Sequence, residues 1–246
     1  MAAGTLLARY EAGEFEAVWR EIRSHPNVDG LLRDEVIEVA EATMRRVATN
    51  ADMLAHRLRA RGWRALFAED HDLRTKPSSK DEPILARIVE ISGKPLPPSL
   101  LVFWKIVGGI NFVWDYRASG VAPNIGIDLP MDEMDPLYVD APGAMTYLFE
   151  EWEDERSEGT VEGEFRIDLS PDYLHKANIS GGMPYAIVVP FLGADPIFAD
   201  ERHKLPFVDY LRLAFKWAGF PGLESHSQRA DVQRFVAEFG SGLLPF

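Results

Sequence analysis

The chain has 246 residues, is 46% hydrophobic and carries a formal net charge of −13 at pH 7. This length and apolar content are enough to build a core, which excludes a globally disordered protein. Cysteine is absent, so disulfides, thiolate metal sites and cysteine nucleophiles are excluded. The sequence has neither a run of about 20 apolar residues nor a signal-peptide pattern over Met1–Tyr10. We therefore expect a cytoplasmic protein with no membrane contact.

The N-terminal quarter of the chain is predicted to be helical. Apolar residues recur at spacings of three and four over Glu14–His25 and Leu31–Arg61, as they do on the buried face of an amphipathic helix. We expect these helices to form a segment, residues 1–68, that packs on the rest of the protein. Polar, turn-rich residues 69–83 are the predicted linker.

Two short helices are predicted after this linker. The first has apolar residues on one side between Ile84 and Ile91. The second starts at Pro97-Pro98, where the missing N–H of proline costs nothing, and ends at Gly108-Gly109. Beyond these glycines the hydrophobic pattern changes to that of strands.

Strand patterns dominate from residue 110 to residue 200. The predicted strands are Ile110–Trp114, Asn124–Asp128, Leu137–Val139, Glu164–Leu169, Pro184–Pro190 and Ile197–Asp200. A helix at Gly143–Glu155 interrupts them, and helices at Phe207–Trp217 and Asp231–Phe239 follow them. Sequential strands framed by helices predict an α+β fold, with a mostly antiparallel sheet flanked by helices, rather than repeating βαβ units.

Acidic residues are concentrated in the middle of the chain. Residues 66–170 contain nine basic and 21 acidic residues, a net charge of −12, with the densest run between Glu150 and Glu158. Nucleic acid is not expected as a partner, because phosphate binding requires the opposite charge. A basic protein fits this field. The alternative is a solvated acidic face that only keeps the protein in solution.

One segment resembles a known family. Residues 96–104, LPPSLLVFW, followed by Val107-Gly108-Gly109, resemble the opening motif of the SUKH superfamily, in which L-P-x-S/D-x-x-x-F leads through a helix to a Gly-Gly turn. The motif has a proline-started helix, an aromatic anchor and a glycine turn where backbone passes closely. The resemblance is good over residues 80–115 and weaker over residues 115–218.

The resemblance implies a SUKH-like α+β domain, here residues 80–246, that binds other proteins. Many bacterial members resemble immunity proteins, which neutralise a toxin made in the same cell, and others regulate cell-wall assembly through protein contacts. The family brings no catalytic residue and no cofactor. Residues 1–65 have no counterpart in its minimal domain and are expected to be an N-terminal helical extension.

The most unusual local sequence is a predicted loop before a buried strand. Its notable residues are Tyr173, His175, Lys176, Asn178, Ser180, Gly181, Gly182 and Tyr185. Polar loops carried by a rigid sheet are common binding and catalytic sites. His175 could act as a base, and the glycines could present N–H groups to an anion. Alternatively, the glycines only supply a turn and the tyrosines are half-buried.

Known catalytic and metal-binding patterns are absent from the sequence. Ser180 does not lie in a G-x-S-x-G elbow, and no phosphate-loop pattern occurs. The nearest approaches to a metal cluster, Asp70-His71-Asp72 and Asp200–His203, lack H-E-x-x-H spacing. We therefore predict no catalytic residue, no metal and no cofactor.

Tryptophans complete the candidate binding residues. Five of the six lie on apolar helix faces or at a helix end and are predicted core residues. Trp114 ends a strand beside Asp115-Tyr116-Arg117 and is a candidate interface anchor, with burial under the following loop as the alternative. The predicted binding residues are Trp114, Tyr173, His175, Lys176, Asn178 and Tyr185.

The leading functional hypothesis is a protein-binding module. It would be an immunity protein whose acidic surface caps a basic toxin, or a regulatory binding protein. The alternative is a small-molecule hydrolase centred on the His175–Ser180 loop, which requires a pocket that His175 faces. A third hypothesis is a subunit that self-associates through its N-terminal helices, and the oligomeric state stays open.

Overall fold

The computed structural model describes residues 4–66, 72–117, 122–159 and 164–246. The helices are α1 (Leu6–Glu11), α2 (Phe15–Arg23), α3 (Gly30–Ala60), α4 (Asp81–Ser92), α5 (Pro98–Val102), α6 (Met131–Met134), α7 (Thr146–Ser157), α8 (Phe207–Lys216) and α9 (Ala230–Phe239). A π-helical turn, Phe103–Val107, continues α5, and 3-10 turns lie at Pro142–Met145, His175–Ala177 and Pro221–His226. No helix within the described ranges has the length and apolar character to cross a membrane.

Two small antiparallel sheets lie among these helices. The strands are β1 (Arg74–Thr75), β2 (Gly109–Asn111), β3 (Tyr138–Val139), β4 (Phe165–Ser170) and β5 (Tyr185–Val189). The first sheet has the order β1-β2-β3, and the second pairs β4 with β5. The predicted fold class is confirmed, since small antiparallel sheets are flanked by helices and preceded by a helical N-terminal segment.

The N-terminal helices share a core with the rest of the protein. Trp19 of α2 is fully buried, and its indole N–H donates a 3.0 Å hydrogen bond to Thr43 Oγ1 of α3. Arg23 forms ion pairs with Asp195 at 3.0 Å and Asp209 at 2.9 Å, which join α2 to the start of α8. One continuous apolar cluster contains buried residues from α2, α3, α5 and α8. The division into residues 1–68 and 80–246 stays a prediction.

The glycine turn at Gly108-Gly109 allows three backbone segments to meet. Gly108 has φ +85°, and a Cβ there would lie 2.1 Å from the carbonyl oxygen of Thr75. A Cβ at Gly109 would lie 2.9 Å from the backbone nitrogen of Ala141. Only glycine therefore lets β1 and the residues after β3 approach β2 this closely. The expected close passage of backbone is confirmed.

The predicted linker at residues 69–83 is wrong in part. Arg74 and Thr75 form β1, and Arg74 is only 5% exposed. Its guanidinium donates hydrogen bonds to the carbonyl oxygens of Ala48, at 3.2 Å, and Val107, at 2.8 Å. These bonds fasten the segment to α3 and to the π-helical turn. Residues 67–71 lie outside the described residues.

Two predicted strands are also corrected. Asn124–Asp128 forms no strand, because the Asn124 side chain accepts a 2.7 Å hydrogen bond from the N–H of Gly126, which has φ +97° and makes a turn. Ile197–Asp200 contributes only isolated bridges, at Ile197 and Ala199, instead of a continuous strand.

The glycine turn gives a direct stability prediction. The variant Gly108→Ala should lose about 3 kcal/mol or more of unfolding free energy, because the added Cβ overlaps with backbone at a positive φ. The matched control is Gly143→Ala, where a Cβ would have no neighbour within 4 Å. Urea unfolding should place the control within about 0.5 kcal/mol of the wild type. Equal midpoints for both variants would contradict the packing at Gly108.

Candidate functional site

A cleft of about 500 Å³ opens beside the predicted loop. Its walls come from the end of β3, the start of α7, the end of β4 and the 3-10 turn His175–Ala177. The polar and aromatic residues that line it are Tyr116, Tyr138, Asp140, Tyr147, Asp168, Ser170, His175, Lys176, Asn178 and Ser180. Carboxylates, phenols and one imidazole therefore converge on a single depression.

Asp172 organises the loop that forms one wall of this cleft. Its buried carboxylate accepts a 2.7 Å hydrogen bond from the N–H of His175 and another from the N–H of Gly182. A Cβ at Gly181 would lie 2.6 Å from the Cβ of Leu174 and 2.7 Å from the Asp172 carboxylate. The glycines thus fold the loop around Asp172, and the anion that Gly182 binds is the protein's own carboxylate.

The ring of His175 is oriented by the same carboxylate. His175 Nδ1 lies 3.0 Å from Asp172 Oδ1, and the His175 side chain is 48% exposed. An ionised carboxylate only accepts hydrogen bonds, so Nδ1 carries a proton in this contact. Within the described part of the chain, His175 has no hydrogen bond to Ser180. A base is therefore positioned, but it is not paired with the predicted serine.

Lys176 and Tyr185 lie in the interior beneath the cleft. Lys176 is fully buried, and its Nζ donates a 2.7 Å hydrogen bond to Asp135 Oδ1. The Tyr185 hydroxyl donates to the other Asp135 oxygen at 3.2 Å. Burial lowers the pKa of Lys176, and the charge of Asp135 opposes that shift. These contacts tie the 3-10 turn to the end of α6, and they remove both side chains from the reach of a surface partner.

The remaining predicted binding residues have different surroundings. Trp114 is 6% exposed and packs edge-on against Trp63, with ring centroids 5.5 Å apart. Tyr173 is half-buried, with the Arg202 guanidinium 4.7 Å from its ring centroid. Asn178 is exposed and adopts φ +61° at the end of the 3-10 turn. Of the six predicted residues, the structure therefore brings His175 and Asn178 to the open surface of the cleft.

Besides Tyr116 and Ser170, four polar cleft residues were not predicted as binding residues from the sequence. Tyr138 and Asp140 come from the end of β3, Tyr147 from α7 and Asp168 from β4. The Tyr138 hydroxyl donates a 2.7 Å hydrogen bond to Asp140 Oδ1, and Arg166 pairs with Asp168 at 3.0 Å. The alternation over 164–169 contained the signal for Asp168, since it places positions 166 and 168 on the polar face. Tyr138, Asp140 and Tyr147 lie far from Asp168 in the sequence, and no local pattern indicated that they would share a cleft with it.

The electrostatics of the cleft are set by two carboxylates. Burial raises the pKa of Asp140 to about 6, although the hydrogen bond from Tyr138 lowers it. Burial also raises the pKa of Asp168, where the charge of Arg166 acts in the opposite direction. In the described ranges, no cation forms an ion pair with Asp140. The cleft therefore has an unneutralised acidic group above pH 6.

The candidate metal ligands do not assemble. Among the described residues, no group of three or more histidine or acidic side chains could hold a metal ion. Glu201 and His203 instead pair with each other at 2.5 Å, and the second ring nitrogen of His203 lies 3.2 Å from Glu224. Asp70 and His71 lie outside the described residues.

Comparison with protein-family models, with curated proteins and with solved structures finds no match to this chain.

The buried ion pair gives a second stability prediction. The variant Lys176→Met should lose about 3–5 kcal/mol of unfolding free energy, because buried Asp135 loses its 2.7 Å partner and, of the described cations, keeps only the Arg202 guanidinium, 3.8 Å away. Adding Asp135→Asn should recover part of this loss, since asparagine is neutral and tolerates the left-handed φ of +46° at that position. Urea unfolding of both variants measures the difference. A double variant less stable than Lys176→Met would contradict the explanation that the loss comes from the buried Asp135 charge.

The pKa of Asp140 gives a spectroscopic prediction. The Asp140 carboxyl should titrate near pH 6 in the wild type. Its pKa should rise in Tyr138→Phe, because the lost hydroxyl stabilised the ionised form. Carbon-13 NMR of the aspartate carboxyl signals measures both values, and Tyr147→Phe is the control that leaves this hydrogen bond intact. A pKa that falls or stays constant in Tyr138→Phe would contradict the assigned hydrogen bond.

Proposed function

We propose that this protein is a cytoplasmic, SUKH-like binding module that recognises a basic protein partner through the acidic cleft. The observation that carries this proposal is an unneutralised carboxylate, Asp140, in a cleft bordered by exposed apolar side chains. Tyr147 is 51% exposed and Ile179 is 46% exposed, and both line the cleft. Exposed apolar groups beside a charged depression are typical of protein interaction sites.

The charge of the neighbouring helix supports the same proposal. Helix α7 contributes Tyr147 to the cleft, and its solvent-facing side carries the exposed acids Glu150, Glu151 and Asp154. A field of one sign around a cleft raises the rate at which an oppositely charged partner arrives. An immunity protein that caps a basic toxin, such as a nuclease, is one form of this function.

The SUKH-like segment supports the proposal through its position. Its residue Trp104 is buried, and the indole N–H donates a 2.9 Å hydrogen bond to the carbonyl oxygen of Asp140. The resembling motif is thus in direct contact with the cleft residue that carries the unmatched charge. A motif associated with protein binding would then support the binding site itself.

A small-molecule hydrolase is the second candidate, favoured by one specific observation. His175 lines the cleft, and Asp172 orients its ring as it would orient a general base. Measured turnover of a small ester or amide that disappears in His175→Gln would establish this alternative. Turnover that is absent in the wild type, or unchanged in the variant, would remove it.

The binding proposal predicts a strong dependence on salt. The partner is identified by affinity capture from the source cell, purified, and assayed by surface plasmon resonance. Its association rate constant should fall by about tenfold as the salt concentration rises from about 50 to about 300 mM, because screening weakens long-range attraction. The comparison variant is Glu150→Gln, Glu151→Gln. It should associate more slowly than the wild type, and its association rate should depend less on salt. An association rate insensitive to salt would contradict the electrostatic mechanism.

A further inference from the structure

The carboxylates around the cleft differ in the partners that hold them. Asp135 pairs with Lys176 at 2.7 Å, and Asp168 pairs with Arg166 at 3.0 Å. Asp172 holds His175 and two backbone N–H groups. For Asp140, the described partner of the carboxylate is the hydroxyl of Tyr138. A hydroxyl donates a hydrogen bond but supplies no positive charge, so the charge of Asp140 is left unmatched.

Asp140 is also fixed in position by its backbone. Its N–H donates a 2.8 Å hydrogen bond to the carbonyl oxygen of Leu169, and its own carbonyl oxygen accepts the bond from Trp104. Both partners are buried. Because the backbone and the side chain are each held, the carboxylate cannot travel to a distant cation. A compensating positive charge would therefore come from a ligand that enters the cleft.

The surroundings of Asp140 suit an alkyl chain that ends in a cation. Tyr116, Tyr138 and Tyr147 line the same cleft as Asp140. Tyrosine rings attract cations through their electron-rich faces and also pack against methylene groups. A carboxylate beside aromatic walls therefore favours a lysine or arginine side chain over a compact inorganic cation, which prefers a shell of oxygen ligands.

We propose that Asp140 is the cation acceptor of the cleft and that its ligand is a lysine or arginine side chain projecting from the surface of the partner protein. This inference rests on the proposed function and names the group that the site recognises. A protein partner is favoured because Tyr147 and Ile179, which line the same cleft, are 51% and 46% exposed. A protein surface that carries the cation would cover them as well.

The first test uses small probes with the full-length protein. The probes are Nα-acetyl-lysine methylamide, the corresponding arginine compound, and the norleucine compound as the neutral control. Nitrogen-15 NMR titration measures their affinities. The lysine and arginine probes should bind at least about tenfold more weakly to Asp140→Asn than to the wild type. The norleucine probe should bind the wild type weakly and should not distinguish the two proteins.

A matched variant separates local recognition from net charge. Glu158→Gln removes one charge at an exposed position that follows α7, outside the cleft lining. It should keep the affinity for the lysine probe within about twofold of the wild-type value. Equal losses in Glu158→Gln and Asp140→Asn would overturn the assignment of Asp140. Equal affinities of the lysine and norleucine probes would overturn it as well.

The second test uses the identified partner and spermidine. Asp140→Asn should weaken partner binding by at least about tenfold, and Ile179→Ser should weaken partner binding but not spermidine binding. Undiminished partner binding to Asp140→Asn would overturn this inference, while salt-dependent association would still support the proposed function. If no basic partner binds the wild type, the proposed function fails. Spermidine binding that outcompetes the partner at Asp140 would identify a free polyamine as the ligand and would also overturn the inference.

Discussion

Backbone atoms from three segments meet at Gly108 and Gly109 with no space for a side chain. This contact sets the distance between β1, β2 and the residues after β3. Because Asp140 directly follows β3, the same contact places its carboxylate at the cleft. The buried indole of Trp104, five residues before Gly109, fixes Asp140 from the other side. A single short stretch of sequence therefore determines both the sheet and the location of the unmatched charge.

Three nearby residues have different roles in the loop beside the cleft. Asp172 organises the backbone, Lys176 fastens the 3-10 turn to Asp135 in the interior, and His175 between them points outward. Asp172 and Lys176 make all of their described contacts within the protein. These contacts hold the loop in place, so few of its polar side chains are free to bind a ligand. The residues that most resemble a catalytic set in sequence are mainly structural.

Much of the fold could be predicted from local patterns, whereas most of the cleft could not. Helix α3 and strand β5 follow directly from hydrophobic periodicity and from an apolar run, since each pattern spans a whole element. Strand β1 was missed because two residues are too few for a periodic signal, and its buried Arg74 looks like a surface residue in sequence. Asp140, Tyr147 and Asp168 belong to different elements, so only tertiary contacts bring them together. His175 and Asn178 were predicted because they are neighbours in the chain.

The ion pairs of Arg23 with Asp195 and Asp209 couple the unfolding of α2 to that of α8. The N-terminal helices and α8 share ion pairs and an apolar interior, so neither can be removed without exposing buried surface on the other. Denaturation should then proceed as one all-or-none transition with no stable half-folded species. The backbone amides of α3 and α8 should accordingly show similar protection from hydrogen exchange. Evolution could not readily transfer the cleft to another protein without the helices that precede it.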